Sequence, residues 1–257
     1  MRAISNSVTN FSLEVSARLE AITTWAVAGG VDEAAAAMAD ALAKGGVIQA
    51  FGTGHSEAFA MEIAGRAGGL IPTSKIALRD LVLHGDRDVA VLDSLEGSIL
   101  EREPGVAEEL FNLSVVDPRD IFIISSNSGV NGAIVGLALA AKERGHTVIA
   151  VTSLQHTNAV EPKHPSGMRL SEIADIVIDN MAPYGDTTME ISGGGGVGAV
   201  SSITGAYIAQ LLTIETVQSL IRAGKKPPIY ISANIPGGDE HNTALVGQYV
   251  GRLRREA

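Results

Sequence analysis

Apolar positions recur along the chain in two rhythms. Over residues 6–44 they fall at helical spacing. Leu13, Val15, Leu19, Ile22 and Val27 form one stripe, and the Ala-rich stretch 31–43 forms a second that stops at Gly45-Gly46. From residue 47 onward, short unbroken apolar runs take over: VIQAF at 47–51, DIFIIS at 120–125, TVIAVT at 147–152 and ADIVID at 174–179. Runs of this length, rich in β-branched residues and bounded by turn formers, predict strands buried on both faces. Helical patterns separate them at residues 57–67, 100–113, 131–144 and 201–223, while residues 76–84 fit strand or helix equally well.

Strands alternating with helices predict an α/β fold with a doubly wound parallel sheet, helices on both faces and N-terminal helices added. With 257 residues and no internal repeat, the chain reads as one domain, its core at about residues 35–225. Hydrophobic residues make up 46% and aromatic residues only 4%, so the core rests on Ala, Val, Ile and Leu.

Charge and cysteine content narrow the function. The formal net charge is −10, and the basic clusters Lys225-Lys226 and 252–255 carry no aromatic stacking partners, so nucleic acid is not an expected partner. There is no cysteine, which excludes disulfides and thiolate chemistry. The first residues, MRAISNSVTNFSLEV, lack the apolar core of a signal peptide, and no run is long enough to span a bilayer. A cytoplasmic protein without a membrane partner is expected.

In a doubly wound sheet, ligands bind beyond the carboxyl ends of the strands. Two loops stand there. The first is Gly52-Thr53-Gly54-His55-Ser56, whose glycines permit a tight turn and close backbone approach, with Ser56 at the following helix start. The same residues would serve as an ordinary helix cap. Glu57 stands where a dinucleotide fingerprint needs glycine, so that reading is set aside. The second loop, Ser125-Ser126-Asn127-Ser128-Gly129-Val130-Asn131, gathers hydroxyls and amides in excess of what one cap requires. Such groups surround a phosphate without Lys or Arg.

The pairing of G-x-G-x-S at 52–56 with S-x-S-G at 126–129 resembles the sugar-isomerase (SIS) domain family, and the strand–helix order around both motifs fits it. The resemblance implies a five-stranded parallel sheet, a sugar-phosphate ligand, and a homodimer or dimer of dimers. It assigns Gly54, His55, Ser56, Ser126, Asn127, Ser128 and Asn131 to the ligand, although many SIS domains carry Thr at the position of Asn131. Ala182-Pro183-Tyr184-Gly185-Asp186 and the tail at 232–242 resemble stand-alone bacterial SIS proteins.

Glu62-Ile63-Ala64-Gly65-Arg66 resembles the E-L-T-G-R of phosphoheptose isomerases and implies Glu62 as a general base. Its other reading is a surface carboxylate paired with Arg66 at i+4. That branch places a zinc-binding His four residues before its Glu. Ala58 stands there, so neither a metal nor another cofactor is expected. Asp80, His84, Asp86 and Asp88 read as a solvated turn. His241, in a Gly-rich stretch read as a loop, is a candidate to open the sugar ring. Ser201 and Ser202 are expected to cap the long helix, Ser201 facing the ligand, with the glycines at 193–196 as a mobile turn before it. His146, His156 and His164 read as surface residues. The expected activity is aldose–ketose isomerisation of a sugar phosphate. A sugar-phosphate sensor and an amino-sugar-phosphate etherase or lyase are its alternatives.

Overall fold

A computed structural model describes residues 2–92 and 99–254, with side chains from Ser7 onward. Five parallel strands form its sheet: β1 (Ile48–Gly52), β2 (Thr73–Ile76), β3 (Ile121–Ser125), β4 (Val148–Thr152) and β5 (Ile176–Asp179), in the order β2-β1-β3-β4-β5. The order reverses direction at β1, with β2 on one side and β3 on the other.

Alternation along the strands divides the core in two. Ile48 and Ala50 of β1, Ile121 and Ile123 of β3, and Ile149 and Val151 of β4 face one layer. It is built by α1 (Arg2–Val27), α2 (Asp32–Ala43), α3 (Glu57–Ile63) and the long α10 (Ser201–Arg222). Phe51, Phe122, Ile124, Val148 and Ala150 face the other, with α4 (Asp80–Leu83), α5 (Ile99–Arg102), α6 (Val106–Leu113), α7 (Gly132–Glu143) and α9 (Leu170–Ile173). Side chains two residues apart point to the same face of a strand, so the near-continuous apolar runs of β3 and β4 fill both layers. The small helix α8 (Leu154–Ala159) follows β4 directly.

Several expected boundaries shift. The helix expected over 57–67 ends at Ile63, where Ala64 turns extended and Gly65 takes φ +83°. Of the ambiguous residues 76–84 only Ile76 is strand, as the end of β2, and α4 begins at Asp80. The single helix expected over 100–113 is two, α5 and α6, divided around Pro104, whose ring cannot continue a helix at that point. The glycines at 193–196 do not open the long helix. They form the turn of an antiparallel hairpin, β6 (Thr187–Glu190) and β7 (Gly196–Ala199), with Gly193, Gly194 and Gly195 at positive φ.

The tail folds back instead of remaining solvated. Arg252 pairs with buried Asp120 at 2.5 Å, and Arg254 donates to the carbonyl of Leu113, so this basic cluster is part of the packing. His146 is also buried, between the Phe111 and Phe122 rings, with Nδ1 2.9 Å from the Asp120 carbonyl. Among the described residues no helix is long and apolar enough to cross a membrane.

Candidate functional site

Gly52 and Ser125 are register partners at the carboxyl ends of β1 and β3. The two serine-bearing loops therefore leave the sheet side by side. A β-carbon at Gly52 would lie 2.3 Å from the Ser56 carbonyl, so only glycine lets the first loop fold back on its own strand. Gly54 then adopts φ +56° and opens a short 3-10 turn through Ser56 before α3 begins.

The loops border a narrow cleft of about 10 Å³, roughly the room of one water. His55, Ser56 and Phe59 line it from the first loop and α3, Ser125 from β3, Asn180 from the end of β5, and Ser201, Ser202 and Gly205 from α10. Ser56 and Ser128 are half-buried. Neither hydroxyl is engaged by a protein group among the described residues.

The other expected ligand residues hold the site together. Ser126 Oγ accepts from the Gly129 amide at 3.1 Å, closing the second loop. Asn127 Oδ1 accepts from Asn180 Nδ2 at 3.1 Å, and Asn127 Nδ2 lies 3.3 Å from His156 Nδ1. Since the amide donates, that imidazole nitrogen accepts. His156 is thus not a plain surface residue. It is half-buried, its ring 5.2 Å from Tyr184, and burial lowers its pKa against the opposing pull of Asp186. Gly129, at φ +65°, would with a β-carbon meet Thr157 and Thr152 at about 3 Å, which fixes the loop's close seat on β4 and α8.

Ser201 does not cap α10. Asp186 does, accepting from the backbone amides of Val200 at 3.1 Å and Ser201 at 2.8 Å, and from Ser201 Oγ at 2.6 Å. Its φ of +67° is the cost of that placement. The start of α10 is thereby satisfied by the chain's own carboxylate. Asn131, by contrast, precedes α7 without capping it, because its side chain donates instead to Glu101.

Glu62 sits one turn beyond Phe59 on α3, its side chain 20% exposed. The pair with Arg66 forms as its alternative reading holds, and Gln210 of α10 adds a 2.6 Å hydrogen bond to the same oxygen. Glu57 is met by Lys75 at 3.5 Å and Arg79 at 2.7 Å, so its charge is balanced from β2 and the following turn.

His241 lies elsewhere. The stretch read as a loop is helix α11 (Gly238–Val246), begun after Gly237 at φ +78°. His241 Nε2 lies 2.9 Å from the Ile229 carbonyl, and Ile229 bridges to Leu70, three residues before β2 starts. Within one chain the structure does not bring His241 to the loops. Asp80 accepts from the Ala77 amide at 2.9 Å and closes a turn.

Asn180, His156, Asp186 and Glu101 contact the residues of the candidate site, and the sequence had not singled them out for it. Asp186 stood in a quoted motif, and Asn180 directly follows the β5 run, so both had a positional signal.

A model of the SIS domain matches residues 10–153. A UPF0309 protein of Halalkalibacterium halodurans is 36% identical over 83% of this chain and 86% of its own length. One from Geobacillus kaustophilus is 36% identical over 86% of each. Among solved structures, a phosphoheptose isomerase from Francisella tularensis aligns with a TM-score of 0.52 at 21% identity, covering 83% of this chain and 98% of that one, which shows a shared fold. With more than half of its length matched and relatives above one-third identity along most of it, the chain belongs to the SIS domain family, alongside the UPF0309 proteins.

Proposed function

We propose that this protein binds a sugar phosphate across the two serine loops and isomerises it between aldose and ketose. The observation that carries the reading is the register pairing of Gly52 with Ser125, which sets the hydroxyls of two adjacent loops beside one cleft. Ser128 and the uncapped first turn of α7 offer a hydroxyl and free amides to an anion, and the helix dipole favours one there. The start of α10 is already held by Asp186, so the phosphate belongs to the second loop.

The sugar would then extend over the cleft toward Ser56, Phe59 and α3. Isomerisation requires a base to take the proton from C2 and return it to C1 through an enediol. Glu62 suits that part, because Gln210 fixes the carboxylate's orientation and it lies on the α3 face that also carries Phe59. The reading carries with it a cytoplasmic homodimer, as the family resemblance implies.

Thermal unfolding with glucose and glucose 6-phosphate tests the binding. A ligand at a hundred times its dissociation constant adds about 2.7 kcal/mol of stability. Stabilisation by the phosphorylated sugar alone is the expected result. Equal shifts with both, or none with any sugar phosphate, would refute the site. Exchange of the C2 proton with deuterated water tests turnover, and tight binding without exchange would make the protein a sensor.

A further inference from the structure

We infer that Glu101 is the group that opens the sugar ring, an inference resting on the proposed sugar-phosphate site. Glu101 lies on α5, in no motif, yet its carboxylate stands between the two serine loops. Oε1 accepts from Asn131 Nδ2 at the end of the second loop. Oε2 lies 3.8 Å from where a β-carbon at Gly54 of the first loop would be. Any larger side chain at Gly54 would grow toward this oxygen, so glycine keeps it open to a ligand.

The placement is built into the packing. Glycines on α7 let two helices approach it: a β-carbon at Gly132 would lie 2.5 Å from the Arg102 carbonyl of α5, and one at Gly136 would lie 2.6 Å from Ala107 Cβ of α6. Pro104 divides α5 from α6, so α5 can turn its own face to the loops. A long side chain on an independent helix would wander. Here the backbone of Arg102, one residue on from Glu101, is pressed against the start of α7. Asn131 Oδ1 is buried and accepts from no described group, so among the described residues the Asn131 side chain is held through its donation to Glu101.

Glu101 Oε1 is held at the second loop by Asn131, and Oε2 stands on the side of Gly54 and the first loop, over which the proposed sugar extends. The anomeric hydroxyl is given to Oε2. Ring opening needs one proton carrier. The carboxylate takes the proton from the anomeric hydroxyl, and that O–H pair becomes the C1=O bond. The C1–O5 pair passes to the ring oxygen, which receives the same proton back from Glu101. Nothing is consumed, and the open aldehyde is ready for removal of its C2 proton. This role is the one that His241, bound to Ile229, does not reach within the chain.

Ring opening is measured apart from isomerisation, as the rate at which the α and β anomers of a sugar phosphate interconvert in two-dimensional exchange NMR. Wild-type protein and E101Q are compared with glucose 6-phosphate, fructose 6-phosphate, arabinose 5-phosphate and sedoheptulose 7-phosphate, with affinity measured by calorimetry. E101Q keeps an acceptor for Asn131, so binding should stay within about threefold while anomer exchange on the protein falls about 10²-fold or more. Should E101Q not fold, E101D provides the same readout, with binding kept and exchange slowed at least about tenfold. Anomer exchange at the wild-type rate in the variant overturns the inference, and so does a variant that loses binding. A wild-type protein that binds without accelerating anomer exchange overturns the inference and leaves the binding site standing. A wild-type protein that binds none of the four overturns both.

Discussion

Gln210 donates from Nε2 to Oε1 of Glu62 at 2.6 Å, and Arg66 donates to the same oxygen. One carboxylate oxygen thus ties α3 to α10 and to the turn after α3. The two functions assigned to Glu62 can be separated by substitution. Glu62→Gln preserves an acceptor for both donors but cannot take a proton. Sugar-phosphate affinity should persist, while exchange of the C2 proton in deuterated water falls about 10²–10⁴-fold. Gln210→Ala should instead lower the unfolding free energy by about 1–2 kcal/mol in urea titrations, because a charged acceptor loses a partner. Unchanged exchange in Glu62→Gln removes Glu62 from the chemistry.

The Ser128 hydroxyl meets no protein group among the described residues, and the proposed site gives it to the phosphate. Ser126, two residues earlier, closes the loop through Gly129. Ser128→Ala should therefore weaken sugar-phosphate binding by about 1–3 kcal/mol through one lost charge-assisted hydrogen bond. Ser126→Ala should cost stability as well as affinity. Calorimetry and thermal unfolding on the two variants check the distinction, and equal stability losses would contradict it.

Much of this arrangement could be read from the sequence, and the misses share a cause. The runs DIFIIS and TVIAVT predict β3 and β4 because all five residues of each strand are buried. β2 was missed, since only its last residue falls in the ambiguous stretch 76–84 and Lys75 sits in it, 6% exposed, tolerated through Glu57 eighteen positions earlier in the chain. Ser126, Ser128 and Gly129 marked the candidate loop by local composition, and the structure sets that loop directly after β3. Glu101 had no such signal, since its placement comes from Gly132, which lets α5 approach α7. Likewise Asp186 caps a helix start fifteen residues away. Local pattern shows strands and loops, whereas a side chain delivered from a distant element shows only in the packing.

His156 makes the second loop sensitive to pH. Burial depresses its pKa below the ordinary 6.5, with Asp186 opposing and Lys163 assisting, and Nδ1 serves Asn127 in the unprotonated form. As pH falls below about 6.5, the unfolded chain binds the proton before the folded one does. The stability present above that pH is then lost as pH falls through the folded value. Melting temperatures of wild type and His156→Gln between about pH 7.5 and 5 should diverge, the wild type showing the steeper loss. A residual slope in the variant is expected from His164, which burial lowers in the same sense. Parallel curves would show that Asn127 does not depend on the neutral ring.

Gly132 links packing to chemistry, and it gives the most indirect of these tests. A β-carbon there would lie 2.5 Å from the Arg102 carbonyl, 2.9 Å from its carbon and 3.0 Å from the Pro104 nitrogen, all backbone atoms that cannot rotate away. Gly132→Ala must move α5 relative to α7, and Glu101 moves with it. Gly132 is the first residue of α7, so the helix propensity of alanine offsets the strain by less than the interior value of about 1 kcal/mol. The expected result is a protein that melts within a few degrees of the wild type but has a displaced Glu101. Phosphate affinity, set by Ser128 and α7, should change little. Anomer interconversion should fall, because a shift of about 1 Å at a proton-transferring group costs on the order of 10²-fold. Pairing it with Gly145→Ala, at a helix end where no atom lies within 4 Å but φ is +83°, isolates the effect. That second variant should lose stability through backbone strain and keep its anomer exchange. If Gly132→Ala and Gly145→Ala lose stability alike and exchange anomers alike, the seat of α5 on α7 has no bearing on the site.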